Sequence, residues 1–187
     1  MAKQYTKKLI HDTFIKMLNE QPLKRITVKD LALACEINRN AFYYYYADIY
    51  ELLSKIFKDN IQLVIDEFNQ SNSWEDSFLK ATDFALANKK AIYHVYDSMQ
   101  KEELIQFIFE ISGNMMTEYV KRVNASINAP EKDQDYIAYF YQCALAGMVV
   151  KWLQTGMKEE PEEVIDRIGF LFDGNIEISL KRAVEKN

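Results

Sequence analysis

The stretch from Asn38 to Tyr45 is rich in side chains that can bind nucleic acid. An arginine guanidinium can pair with guanine and an asparagine amide with adenine, while tyrosine hydroxyls donate to phosphate oxygens and their rings lie against sugars. The residues of these types are Asn38, Arg39, Asn40, Tyr43, Tyr44 and Tyr45. A plainer interpretation is that half of the tyrosine rings belong to the core and the others partly cover it. Residue types alone favour contact with DNA.

A second pair, His94 and Asp97, could share one face of a helix and bind a metal ion. No third ligand is obvious, and the chain has no nucleophile-elbow, glycine-rich phosphate or His-Glu-x-x-His motif. The two cysteines, Cys35 and Cys143, are far apart, so neither a disulfide framework nor a zinc site is indicated. We therefore expect no enzyme, metal site or cofactor, and a metal-dependent enzyme is only a remote alternative.

The residues suited to binding nucleic acid lie in a region where the sequence predicts short helices. Apolar residues at helical spacing predict a helix over residues 5–20, and Pro22 marks its end. Thr27 with Asp30 three residues later matches a capping box that starts a second helix. Asn38 is a good N-cap for a third helix that runs to about Tyr45. Two short helices joined by a three-residue turn have the dimensions of a helix-turn-helix.

Charge is unevenly spread along the chain. Up to Tyr45, eight Lys and Arg face four Asp and Glu, a net charge of +4. Because the whole chain carries −5, the remainder carries −9. A basic module on an acidic body is expected when only one of the two meets phosphates.

The remaining sequence predicts an all-α protein. Only 5 Gly and 3 Pro occur in 187 residues, which favours long helices with few turns, about nine in all. We expect a helix-turn-helix domain over residues 1–47 and a helical regulatory and dimerisation domain over 48–187. No secretory signal is visible, so a cytoplasmic location is expected. The most apolar run, residues 136–150, is too short to cross a bilayer and is predicted to be a buried helix.

Two long helices are predicted at the C-terminal end, one over about residues 131–157 and one that opens at Pro161. The last carries an apolar residue at every fourth position from Val164 to Leu180, so another helix or another subunit must cover this stripe. A small residue at Gly147 lets two helices approach closely. The predicted dimer-interface residues are Gly147, Met148, Ile168, Phe172 and Ile176. The alternative is a monomer whose long helices bury each other.

The middle of the chain has an aromatic and methionine-rich character suited to a pocket for a flat apolar ligand. The candidate pocket residues are Tyr93, Tyr96, Phe107, Met115, Met116, Tyr119, Tyr139 and Tyr141. Any helical core contains such residues, so ordinary packing is the competing interpretation.

The stretch from Ile26 to Leu53, ITVKDLALACEINRNAFYYYYADIYELL, resembles the DNA-binding region of the TetR/AcrR family of transcriptional regulators. The resemblance implies a three-helix head, a fourth linking helix from Asp48, a divergent helical body and homodimerisation through the last two long helices. It makes Thr27, Tyr44 and Tyr45 phosphate contacts. The set predicted to bind DNA is Thr27, Lys29, Asn38, Arg39, Asn40, Tyr43, Tyr44 and Tyr45, of which Asn38, Arg39, Asn40 and Tyr43 would face the major groove.

Four positions depart from the family pattern. Glu36 stands where glycine is usual in the turn, and Tyr45 replaces a frequent histidine. Ala47 and Ile49 replace lysines at the start of the fourth helix, which removes two positive charges near the expected phosphates. Lower affinity for DNA than is typical of the family follows from the last two changes.

The function predicted from the sequence is a homodimeric repressor that binds double-stranded DNA and is released by a small-molecule effector. The alternative is a regulator of the same fold that a protein partner controls and that acts as an activator.

Overall fold

A computed structural model describes residues 2–71, 74–172 and 174–186, and all regular secondary structure within these ranges is helical, as predicted. The helices are α1 (Ala2–Glu20), a 3-10 turn (Leu23–Arg25), α2 (Val28–Ala34), α3 (Arg39–Tyr43), α4 (Ile49–Ser71), α5 (Trp74–Ala87), α6 (Lys89–Tyr96), α7 (Lys101–Asn124), α8 (Glu131–Gln154), α9 (Pro161–Phe172) and α10 (Asn175–Lys186).

The chain divides into two compact units. The first unit comprises Met1–Asn60 and Phe84–Leu104, and the second comprises Ile61–Asp83 and Ile105–Asn187. Helix α6 therefore packs with the N-terminal helices. The predicted boundary between residues 47 and 48 concerns function, and it stays a prediction.

The core of the first unit forms around α1. Ile10, Phe14 and Leu18 are spaced four residues apart, so they share one face of the helix, and all three are buried. Phe42 of α3 and Leu52 of α4 are buried in the same unit. These contacts fix the first four helices around one core and leave the polar side of α3 exposed.

In the second unit, the side-chain amide of Gln142 on α8 donates a hydrogen bond to the carbonyl oxygen of Phe109 on α7, at 2.9 Å. A Cβ atom at Gly113 would lie 2.7 Å from Gln142 Nε2, so the missing side chain makes room for this contact. The ring of Tyr141 meets Phe172 edge-on, with centroids 4.8 Å apart. Helices α7, α8 and α9 are thus joined in one core.

The prediction of a single long helix that begins at Pro161 is wrong. Helix α9 ends at Phe172 and α10 begins at Asn175, with Gly174 between them at a φ of +71°. This left-handed conformation, which glycine adopts at little cost, ends a helix. The described residues contain ten α-helices, in agreement with the prediction of about nine.

The prediction that residues 136–150 form a buried helix is only partly correct. They lie within α8, but Tyr136, Tyr139 and Phe140 are each more than 60% exposed. The run is apolar on more than one face, and the protomer covers only the face that carries Tyr141 and Leu145. Across the described ranges, no helix is long and apolar enough to span a bilayer.

Candidate nucleic-acid interface

Both predicted caps of the helix-turn-helix are confirmed. Thr27 Oγ1 accepts a hydrogen bond from the backbone N–H of Asp30 at 3.2 Å and donates to the Asp30 carboxylate at 2.6 Å. Asn38 Oδ1 accepts from the backbone N–H of Ala41 at 2.8 Å. A cap of this kind contributes about 1 kcal/mol. The two caps set where α2 and α3 begin, and hence how α3 presents its side chains.

The turn between these helices has the left-handed residue that the family pattern expects at position 36. Glu36 has a φ of +55°, and the backbone N–H of Ile37 donates to the Ala32 carbonyl at 3.0 Å to close the end of α2. A side chain in this conformation costs about 1 kcal/mol more than glycine does. The turn keeps its geometry despite the substitution.

The residues predicted to contact DNA lie on the surface of the first unit, and most are exposed. Phe42 and Tyr46 turn into the core instead, and burial, with the nearby Asp59, Glu51 and Tyr45, raises the pKa of Tyr46. We call the accessible set the recognition surface: Thr27, Lys29, Asn38, Arg39, Asn40, Tyr43 and Tyr44 are exposed and Tyr45 is half-buried.

The hydrogen bonds of the caps determine which groups on this surface remain available. The Thr27 hydroxyl already donates to Asp30, and Asn38 Oδ1 already accepts from the backbone. The side chains of Arg39 and Asn40 make no hydrogen bond within the described chain. The structure therefore leaves the guanidinium and this amide free to pair with base edges.

The N-terminal end of α4 is acidic. Asp48 Oδ1 accepts from the backbone N–H groups of Tyr50 and Glu51, each at 2.8 Å, and Glu51 accepts from that of Ala47. Ile49 is buried, whereas Ala47 is exposed. At the two positions where the family pattern has lysine, this chain therefore has a core residue, Ile49, and an uncharged surface residue, Ala47.

Lys7 on α1 is a neighbour of the recognition surface that sequence reasoning missed. Its Nζ lies 5.8 Å from the centroid of the Tyr45 ring. The two residues are separated by 38 positions, and no local pattern places the start of α1 beside the end of α3. The positive charge of the N-terminal stretch was the available signal.

The predicted ligand-pocket residues differ in their surroundings. Tyr93 and Tyr96 belong to the first unit, and the others belong to the second. Met115, Met116 and Tyr141 are buried, Tyr139 is exposed, and Tyr93, Tyr96, Phe107 and Tyr119 are half-buried. Tyr93 lines an open groove of about 620 Å³, together with Asn19, Leu86, Ala87, Lys89, Lys90, His94 and Asp97. A pocket role for the eight residues stays a prediction.

His94 and Asp97 line the same groove, but His94 already has a partner. Its Nδ1 lies 2.6 Å from the carbonyl oxygen of Leu18, so the ring N–H donates to α1. Among the described residues there is no group of three or more His, Cys, Asp or Glu side chains that could hold a metal ion. The ring of His94 ties α6 to α1.

The predicted dimer residues fall into two groups. Ile168, Phe172 and Ile176 are 0%, 4% and 1% exposed within one chain, so the protomer's own core uses them and they offer no surface to a second copy. This corrects their proposed position: the stripe faces inward. Gly147 is exposed, and a Cβ added there meets no atom of the described chain within 4 Å, while Met148 is half-buried.

No curated protein sequence matches the chain. A TetR-type family model, described as "Transcriptional regulator C-terminal region", matches residues 72–174. Among solved structures, one similar chain is the dihydroxyacetone kinase operon activator DhaS, with a TM-score of 0.79 and 18% identity over 92% of this chain and 97% of that one. Another is NalD of Pseudomonas aeruginosa, the secondary repressor of the MexAB-OprM multidrug efflux pump, with a TM-score of 0.60 and 12% identity over 90% of this chain and 95% of that one. At these identities the two structures show a shared fold. The chain belongs to the TetR family of transcriptional regulators.

Proposed function

We propose that this regulator is a cytoplasmic homodimer that binds double-stranded DNA through the recognition surface and represses transcription until a small molecule binds. The observation that carries the proposal is the capped helix-turn-helix, which leaves the side chains of Arg39 and Asn40 exposed and without a hydrogen-bond partner among the described residues. A guanidinium pairs with guanine and an amide with adenine in the major groove. No enzymatic step is part of the proposal.

A second copy is needed because one short helix reads too few bases for specific binding. Two heads about 34–36 Å apart read successive major grooves on one side of the duplex. We propose that the exposed apolar face of α8 forms the symmetric contact. Tyr136, Phe140 and Gly147 lie close to one line along that helix, and each is exposed in the single chain.

The DNA-binding proposal is tested with purified protein and genomic fragments across a salt series. Arg39→Ala and Tyr43→Ala should each lose fragment-selective binding. Lys16→Gln changes an exposed residue of α1, outside the recognition surface, and should keep this binding. Circular dichroism melts verify that each variant is folded. If the wild type binds no fragment better than random DNA even at low salt, the proposal fails.

The dimer proposal is tested by light scattering coupled to size exclusion. Phe140→Asp places a charge on the exposed face of α8 and should yield a monomer. Met99→Asp is the matched control, because Met99 is also exposed but lies outside α8. If the Phe140→Asp protein remains a dimer, the interface does not lie on this face of α8.

The similarity to DhaS favours a second candidate, an activator of the same fold, because DhaS is named as an operon activator. In vitro transcription from a promoter beside the selected fragment separates the two candidates. If the regulator is a repressor, adding it should lower the amount of transcript, and adding an effector should restore that amount. More transcript than without the regulator supports the activator.

A further inference from the structure

Lys7 of α1 lies over the ring of Tyr45, which forms an aromatic pair with Tyr44. Its Nζ is 5.8 Å from the centroid of the Tyr45 ring. That ring meets Tyr44 edge-on, with centroids 4.9 Å apart and planes at 85°. Lys7 and Tyr44 are exposed and Tyr45 is half-buried. One cation and two phenol rings are thus gathered just after the end of α3.

The ring face attracts the ammonium because the aromatic quadrupole is negative above the plane. This contact restricts a long and otherwise flexible side chain before any ligand arrives. Less conformational entropy is then lost when the ammonium binds a phosphate. Tyr44 and Tyr45 also carry hydroxyls, which are donors that suit phosphate oxygens.

The start of α4 is short of cations. Position 47 carries alanine and position 49 a buried isoleucine, while Asp48 and Glu51 add two carboxylates there. A DNA backbone that approaches the tyrosine pair from this side meets negative charge. Lys7 supplies positive charge from α1 instead.

We propose that Lys7 is a further DNA-binding residue, which is held over Tyr45 and contacts a backbone phosphate beside the Tyr44–Tyr45 pair. The proposal rests on the proposed function. It adds a contact from α1 that the helix-turn-helix itself does not contain. Tyr45 then has a positioning role, since its ring face orients the ammonium.

The test measures Kd by fluorescence anisotropy on a duplex selected by the wild type, between about 50 and 200 mM salt. Lys7→Gln should weaken binding on the order of tenfold at the lowest salt and reduce the magnitude of the log–log salt slope by about one. Lys16→Gln removes the same charge from an exposed position on α1 nine residues away, half a revolution around the helix, and should change neither quantity.

A double-mutant cycle tests the part played by the ring. In a Tyr45→Leu background the effect of Lys7→Gln should shrink, whereas in a Tyr45→Phe background, which keeps the ring face, it should persist. A structural role of Tyr45 without the cation contact would give equal effects in both backgrounds. Thermal melts report whether the leucine variant is folded.

The outcomes separate this proposal from the proposed function. If Lys7→Gln binds like the wild type while Arg39→Ala loses selectivity, Lys7 is not a contact although the regulator still reads DNA. If Lys16→Gln loses as much affinity as Lys7→Gln, only overall charge matters and the proposal is overturned. If the wild type shows no selectivity for any duplex, both proposals fall together.

Discussion

The side chain of Asn19 on α1 caps helix α6, since its Oδ1 accepts a hydrogen bond from the backbone N–H of Ala91 at 3.2 Å. Its Nδ2 donates to the side chain of Asn88 and to the carbonyl of Ile15, both at 3.1 Å. Within the described residues, Asn88 makes no side-chain cap of its own. His94 nearby donates to the carbonyl of Leu18, so hydrogen bonds of both Asn19 and His94 hold α6 against α1.

Asn19→Ala should lower the free energy of unfolding by about 1 kcal/mol, because an N–H at the start of α6 loses its acceptor. Urea titration followed by circular dichroism measures the change. Asn19→Asp keeps an oxygen at the cap and should lose less. An unchanged midpoint for the alanine variant would show that water replaces the cap fully.

Glu36→Gly should stabilise the protein by about 1 kcal/mol, because glycine adopts the φ of +55° without a Cβ clash. Thermal unfolding at fixed protein concentration reports the gain. Glu36→Ala removes the same charge but keeps a Cβ, so it should bring little of the increase. Equal gains from both variants would assign the effect to charge and not to backbone conformation.

Restoring the two lysines of the family pattern should have opposite results. Ala47→Lys adds a cation at an exposed position and should raise DNA affinity, with a salt slope steeper by about one. Ile49→Lys places an ammonium in the core and should cost about 2–4 kcal/mol of stability. Fluorescence anisotropy measures the DNA affinity of Ala47→Lys, and urea titration measures the stability of Ile49→Lys. A well-folded Ile49→Lys protein would contradict the assignment of Ile49 to the core.

Two of the glycines inside helices, Gly113 and Gly147, should respond differently to alanine. Gly147→Ala should gain about 0.5–1 kcal/mol from helix propensity, because its Cβ meets no described atom within 4 Å. Gly113→Ala has the same propensity gain, but its Cβ displaces Gln142 from the Phe109 carbonyl, which offsets it by about 1 kcal/mol. Urea titration of both in a Phe140→Asp background removes any effect of dimerisation. Equal gains would mean that Gln142 moves aside at no cost.

Local signals placed much of the DNA-reading region correctly. The caps at Thr27 and Asn38 involve bonds to residues three positions away, so residue type and spacing are sufficient to predict them. The left-handed turn at Glu36 was suggested only by the family resemblance, because glutamate itself does not favour a φ of +55°. The C-terminal break was missed because its apolar stripe continues through Gly174 without losing helical spacing.

The sequence by itself determined the helical class and the start of α2 and α3, since these depend on contacts within a few positions of the chain, and it supplied the residue types that are predicted to meet DNA. Only the tertiary structure decided which apolar residues face inward. Ile168 is buried while Phe140 is exposed, although both lie on apolar helices. It also brought Lys7 to Tyr45 and Asn19 to Ala91, because such pairs depend on how helices pack and not on their own periodicity.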